Sequence, residues 1–302
     1  MAKINCSMLG TDGEITLRGF NWTTENPTKN LIIVTGMEEY AGRYDGLATY
    51  LNDFGYNVVS LDHYGQGQTA GEIAKLGKTI KGAYEFSIEN IHKLVEQLKK
   101  ENGLPTYVFG HSMGSFIVQA YIQKYSEDVV KAVIMGSNGN NAKTLFKFGA
   151  LLTKMKVNDS NWNKPAPLFQ KISFSSYQKH FPEHENAWLS VNKDNVEEYT
   201  RSKYCGYGSS MGFYYEFMKG NSKLYNKKSL QNIRKDLPIL VISGKEDPVG
   251  NYGKGPTNLS KLYKKLGITN VELKLYPEIR HEILMEDNKE EIYKDVCDFL
   301  EA

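Results

Sequence analysis

The 302-residue chain is 40% hydrophobic and 24% charged with a net charge of +2, the profile of a globular protein large enough to bury an extensive core. Only five of its 37 basic residues are arginine, so neither charge nor composition supports nucleic-acid recognition. Three widely spaced cysteines, Cys6, Cys205 and Cys297, offer no disulfide framework and no metal-ligand spacing. With no secretory leader after Met1 and no run near the roughly 20 apolar residues of a membrane span, a cytoplasmic protein is the expectation.

Ile15–Trp22 alternates apolar and polar residues and predicts an early antiparallel strand, closed by a turn at Asn26-Pro27. The unbroken apolar run Leu31–Val34 predicts a strand buried on both faces. A helix over 44–54, a strand at Val58–Leu61 and a long helix over 83–100 follow. A strand at 106–109, a helix over 113–125 and a strand at Ala132–Met135 come next. The alternation stops near Gly136 and resumes at Leu237–Ile242, with a helix near 257–266, a strand at Val271–Tyr276 and a helix near 288–301. Such alternation predicts an α/β protein with a mostly parallel sheet and helices on both faces. The interruption is far too long for a loop. Residues 1–136 and 237–302 are therefore expected to form the core, and 137–236 an inserted, mainly helical cap.

Gly110-His111-Ser112-Met113-Gly114 reads G-x-S-x-G between a predicted buried strand and a predicted helix. That is the setting of a nucleophile elbow, a sharp turn that leaves the serine exposed and requires glycine on either side. A serine nucleophile needs a base, and the base an orienting acid, in the chain order Ser, acid, His. His63, His92 and His111 precede Ser112, and His180 and His184 fall inside the interruption, which leaves His281 as the base. Asp247, pinned by Pro248 in the loop after the strand at 237–242, is the expected acid, with Glu246 as the fallback. Acyl transfer also needs oxyanion donors. The backbone N–H of Met113, at a helix N-terminus, and that of Met37, in the loop after Val34, are the candidates.

Four separated segments together resemble the α/β-hydrolase fold and, within it, the monoacylglycerol lipase/lysophospholipase group filed under serine aminopeptidase S33. Thr35–Tyr44 resembles that group's H-G-x-x-E-H-x-x-R-Y loop, and Asp62–Thr69 its D-H-x-G-H-G-x-S loop. Gly110–Ser115 matches its elbow, and Gly244–Asp247 with His281-Glu282 its acid and base loops. Thr35, Tyr40 and Gln66 depart from the pattern, each standing where the group has histidine. Asp62, His63, Arg43 and Tyr44 read as loop supports.

The resemblance implies hydrolysis of single-chain lipid esters by Ser112, His281 and Asp247, without metal or organic cofactor. A neutral histidine is required, so activity should fall below roughly pH 6–6.5. In the segment Lys143–Met155, apolar Leu145, Phe148, Leu151, Leu152 and Met155 share one helical face, with Lys143, Lys147 and Lys154 opposite. That face either packs on the core or forms a lid over an acyl tunnel that could touch a membrane or micelle. Leu145, Phe148, Leu152, Tyr207 and Phe213 are the candidate substrate contacts. Competing readings are a thioesterase, peptidase or acyltransferase with the same triad, and a non-catalytic ligand-binding protein on a hydrolase scaffold. Epoxide hydrolases and dehalogenases use a carboxylate where Ser112 stands, so those chemistries are disfavoured.

Overall fold

The computed structural model describes residues 1–302. One eight-stranded sheet runs through it: β1 (Ala2–Leu9), β2 (Thr16–Thr23), β3 (Lys29–Val34), β4 (Tyr56–Leu61), β5 (Thr106–His111), β6 (Ala132–Met135), β7 (Ile239–Gly244) and β8 (Val271–Tyr276). Their spatial order is β1-β2-β4-β3-β5-β6-β7-β8. The pairs β1·β2 and β2·β4 are antiparallel, and all others are parallel. The central strands read as unbroken apolar runs because each face of the sheet is covered. Leu31, Ile33, Val133, Met135, Leu240 and Ile242 point into one core, beneath helices α1 (Asp45–Asn52) and α10 (Lys289–Glu301). The alternating residues Ile32, Val34, Ala132, Ile134, Ile239 and Val241 point into the other, beneath α2 (Ala83–Glu101), α3 (Met113–Tyr125) and α9 (Lys254–Lys265).

The first strand was not anticipated. Ala2, Ile4, Cys6 and Met8 do alternate with Lys3, Asn5 and Ser7, but only Met8 is buried and most of the strand meets water; it is held by the ladder to β2, from Ala2 opposite Thr23 to Leu9 opposite Thr16. The other predicted elements lie within a few residues of their expected ends. Between β6 and β7 run five helices, α4 (Lys143–Lys156), α5 (Pro167–His180), α6 (Lys193–Arg201), α7 (Met211–Leu224) and α8 (Lys227–Gln231). No helix is long and apolar enough to cross a membrane.

The strand β5 passes directly into α3 through Ser112, whose φ of 51° and ψ of −118° lie where side-chain-bearing residues rarely sit. Glycine is required on each side by crowding. A Cβ on Gly114 would stand 2.0 Å from the Val34 carbonyl oxygen, and one on Gly110 would stand 2.6 Å from the Gly114 carbonyl oxygen. The obstacles are backbone and cannot move aside, so α3 starts in direct contact with the end of β3. Gly114→Ala should therefore destabilise the protein by about 3 kcal/mol or more, read as a lowered urea midpoint at unchanged m-value.

Candidate active site

In an open α/β sheet, ligands bind beyond the carboxyl ends of the strands, where the strand order reverses. Here the reversal falls between β3 and β5, whose successors β4 and β6 lie on opposite sides. The loop after β3 and the turn after β5 meet there, and the loops after β7 and β8 bring in Asp247 and His281.

The Asp247 carboxylate is buried and approaches His281 Nδ1 at 3.0 Å through Oδ1. The Val249 N–H donates to the same oxygen at 2.8 Å, and Ser243 Oγ donates to Oδ2 at 3.2 Å. Glu246 is half-exposed and stays outside this arrangement. The His281 ring packs between those of Trp188 and His111, with centroids 5.5 and 4.8 Å away. Burial works against its charged form, but the charge and hydrogen bond of Asp247, with the Glu282 and Glu39 carboxylates beyond, prevail. The imidazole is held above its ordinary pKa.

A buried ion cluster underlies the pair. The Arg43 guanidinium forks onto both oxygens of Glu282, reaches Glu39 at 3.3 Å and donates to Asn195 Oδ1 of α6 at 2.8 Å. The Glu39 carboxyl, although burial would raise it, is held down at about 2 by His111, Arg43 and Tyr44. Glu282 is likewise lowered by Arg43 against burial. His111 Nδ1 faces both Glu39 (3.0 Å) and the Tyr44 hydroxyl (2.9 Å). Sequence reasoning read Arg43 and Tyr44 as loop supports, and their contacts are of that kind.

Met113 is the first residue of α3, so its N–H has no acceptor within the helix. Met37 stands across from it in the loop after β3, and both residues line the same cavity as Ser112 and His281. The three departures from the family pattern all touch this loop. The Thr35 hydroxyl is buried without a partner, and its carbonyl faces His63 Nε2 at 3.2 Å. Burial pushes that imidazole down to about 4, which keeps it neutral. Tyr40 packs on Tyr204, with ring centroids 5.5 Å apart. Gln66 donates from Nε2 to the Gly36 carbonyl (3.0 Å) and accepts the Glu38 N–H at Oε1 (2.7 Å). Nothing in the sequence pointed to these two contacts, which span 30 and 28 residues.

The cavity has a volume of about 530 Å³, and 16 of its 28 lining residues are hydrophobic. Phe116, Phe146 and Phe217, from α3, α4 and α7, form one wall as a triangle of edge-on rings. Phe174, Tyr177 and Trp188 form another. Of the residues singled out as substrate contacts, Leu145 lines the cavity; Phe148, Leu152, Tyr207 and Phe213 do not. Phe213 instead belongs to the main core, and Tyr207 is half-buried outside the cavity lining. The apolar face of α4 does not pack on the core. Leu145, Phe148, Leu151 and Met155 are all more than half exposed, because α4 meets α7 through Phe146, Gly149 and Thr153. At Gly149 the Met218 sulfur comes too close for a Cβ, standing 2.7 Å from where one would be. Helical periodicity identified the shared face correctly but not whether anything covers it.

The fold has close counterparts. The carboxyl esterase of Bacillus coagulans, solved with glycerol, superposes with a TM-score of 0.88 at 24% identity, covering 100% of this chain and 98% of that one. A soluble variant of the Saccharomyces cerevisiae monoglyceride lipase, solved with a substrate analogue, superposes with a TM-score of 0.76 at 19% identity, covering 100% and 95%. In sequence, mouse monoglyceride lipase is 25% identical over 297 residues, spanning 93% of this chain and 88% of that protein. Residues 25–288 match the family described as serine aminopeptidase, S33. With that match spanning most of its length and the sheet order and elbow described above, the chain belongs to the S33 serine aminopeptidase family of α/β-hydrolases.

Proposed function

We propose that this chain hydrolyses the carboxylic ester of single-chain lipids with uncharged head groups, such as monoacylglycerols, using Ser112, His281 and Asp247. Family membership and the lipase relatives make it a carboxylic ester hydrolase; the residues and the substrate are the finer reading. The observation that carries it is a buried Asp247–His281 pair opening, with Ser112 on its strained elbow, into one largely apolar cavity.

In this reading Ser112 Oγ attacks the ester carbonyl and His281 Nε2 takes its proton. Asp247 fixes the tautomer with the Nδ1 proton towards its own carboxylate and stabilises the imidazolium. The N–H groups of Met37 and Met113 receive the oxyanion, and His281 returns the proton to the departing alcohol. Water, activated by the same imidazole, then releases the fatty acid. The helices between β6 and β7, within the span 137–236, act as the cap that encloses the acyl chain.

The head-group reading rests on charge. No lysine or arginine lines the cavity, so a phosphate would meet no counter-ion. Its acidic lining residues, Glu39 and Glu282, are both engaged by Arg43, so neither is free to hold a peptide's ammonium as an aminopeptidase would need. The exposed α4 face, extended by Leu168 and Ile172 of α5 and flanked by lysines, is the surface that would rest on a lipid aggregate.

Turnover of p-nitrophenyl esters and monoacylglycerols should peak at medium or long acyl chains and vanish in Ser112→Ala. Lysophosphatidate should be hydrolysed at least tenfold more slowly than the matching monoacylglycerol. A preference for short polar esters would move the substrate elsewhere.

His281 must be neutral to accept the serine proton, and its pKa is raised. The acid limb of kcat/KM should therefore lie above the ordinary histidine value of about 6.5, higher than the sequence alone suggested. A pH–rate profile with its midpoint at or below 6 would contradict this.

Introducing a charge on the exposed face, with Phe148→Glu plus Met155→Glu, should slow hydrolysis of vesicle-borne monoacylglycerol by about tenfold or more, since each side chain placed in lipid is worth about 1.5–3 kcal/mol. Turnover of a soluble short-chain ester should stay within twofold.

A further inference from the structure

The direction of one backbone N–H is set by a side chain from another loop. Met37 N–H belongs to the peptide unit that also contains the Gly36 carbonyl. A trans peptide is planar, so its C=O and N–H point in opposite directions. Whatever holds the Gly36 oxygen therefore aims the Met37 N–H. The partner holding it is Gln66 Nε2, at 3.0 Å. The other atom of the same amide, Oε1, accepts the Glu38 N–H at 2.7 Å and so fixes the next peptide as well. Only one orientation of the amide satisfies both partners, and Gln66 is 1% exposed, so water does not compete for either bond.

The loop needs such a hold. Glu38 sits at a φ of 58°, a conformation that side-chain-bearing residues adopt at a cost. Its carbonyl accepts the Gly206 N–H (3.1 Å) and the Tyr199 hydroxyl (3.2 Å), while its carboxylate accepts Ser209 Oγ (2.7 Å). These contacts fix the far side of Glu38 but leave the Gly36–Met37 peptide free to rotate. If that peptide turned over, it would present a carbonyl oxygen where the oxyanion forms. Gln66 is itself anchored: Asp62 accepts the Gln68 N–H at 2.6 Å and, through its other oxygen, the Ala41 N–H at 2.7 Å. The loops after β3 and β4 are thus pinned to each other on both sides of Met37.

We propose that Gln66 is a positioning residue for catalysis, holding the Gly36–Met37 peptide so that the Met37 N–H faces the oxyanion. This rests on the serine-hydrolase reading above. Gln66 touches no substrate and acts entirely through Met37. A neutral imidazole also offers one donor and one acceptor, so histidine is the conservative replacement here, whereas leucine preserves the volume and removes both bonds.

The test compares Gln66→Leu and Gln66→His with wild type, using kcat and KM for a monoacylglycerol. It adds the inhibition constant of an alkyl trifluoromethyl ketone, which forms a tetrahedral oxyanion on Ser112, and the dissociation constant of an ether-linked analogue that cannot. Gln66→Leu should lose about 10- to 100-fold in kcat, with the ketone weakened in parallel. KM and ether-analogue binding should stay within about threefold. Gln66→His should recover most of the loss. Should Gln66→Leu fail to fold, Gln66→Asn, whose amide is one methylene too short, carries the same comparison. Retention of kcat within threefold, or equal weakening of ketone and ether analogue, would overturn the positioning role while leaving the serine mechanism intact. Wild-type turnover that survives Ser112→Ala would overturn the serine reading, and this inference with it.

Discussion

The site is organised by a contact with no side chain in it. Gly114 lies against the Val34 carbonyl so closely that even one carbon could not be added. That approach sets the N-terminus of α3 beside the loop leaving β3, and it forces Ser112 into its strained turn. In the proposed mechanism one element supplies the N–H of Met113 and the other that of Met37, so the separation of these two proposed donors follows from a backbone-to-backbone distance. Groups held in this way need not reorganise when charge develops, which is where most electrostatic assistance to acyl transfer originates.

Below that frame lies a charge cluster that the protein keeps dry. Arg43 binds two carboxylates and Asn195 in an enclosed space. Burying such groups costs several kcal/mol per ion before their attraction is counted, so the cluster is a weak source of net stability. What it does supply is placement. Glu282 follows His281 directly in the chain and Glu39 lies in the loop after β3, so one guanidinium ties together the loops after β3 and β8. Through Asn195 it also engages α6. The helical segment between β6 and β7 is thus joined to the two loops that matter most.

How far the sequence could be read depended on what each residue faces. The central strands were legible because both faces are buried and every position is apolar. The edge strand β1 was missed although Ala2, Ile4, Cys6 and Met8 alternate with polar residues, a short and weakly hydrophobic run whose side chains mostly meet water and whose order comes from hydrogen bonds to β2. Ser112, Asp247 and His281 stood out because few residue types can do the chemistry proposed for them and the chain order of this fold separates the histidines. Gln66 stood out only as a departure from the family loop, with nothing to show what it would hold. An amide is neither nucleophile nor base, and its contribution is a pair of hydrogen bonds to backbone some 30 residues away. The face of α4 was legible as a face, but periodicity records which residues point the same way and is silent on what they meet.

Leu145 and Ile172 are both more than 60% exposed and both line the cavity, so the apolar outer surface and the interior meet at the rim. For an enzyme seated on a lipid aggregate by that rim, successive substrates arrive by lateral diffusion in two dimensions. The rate then follows the mole fraction of substrate in the surface and no longer its bulk concentration. Diluting the ester with an inert lipid at constant total ester would slow the enzyme, although no inhibitor had been added and no binding constant had changed.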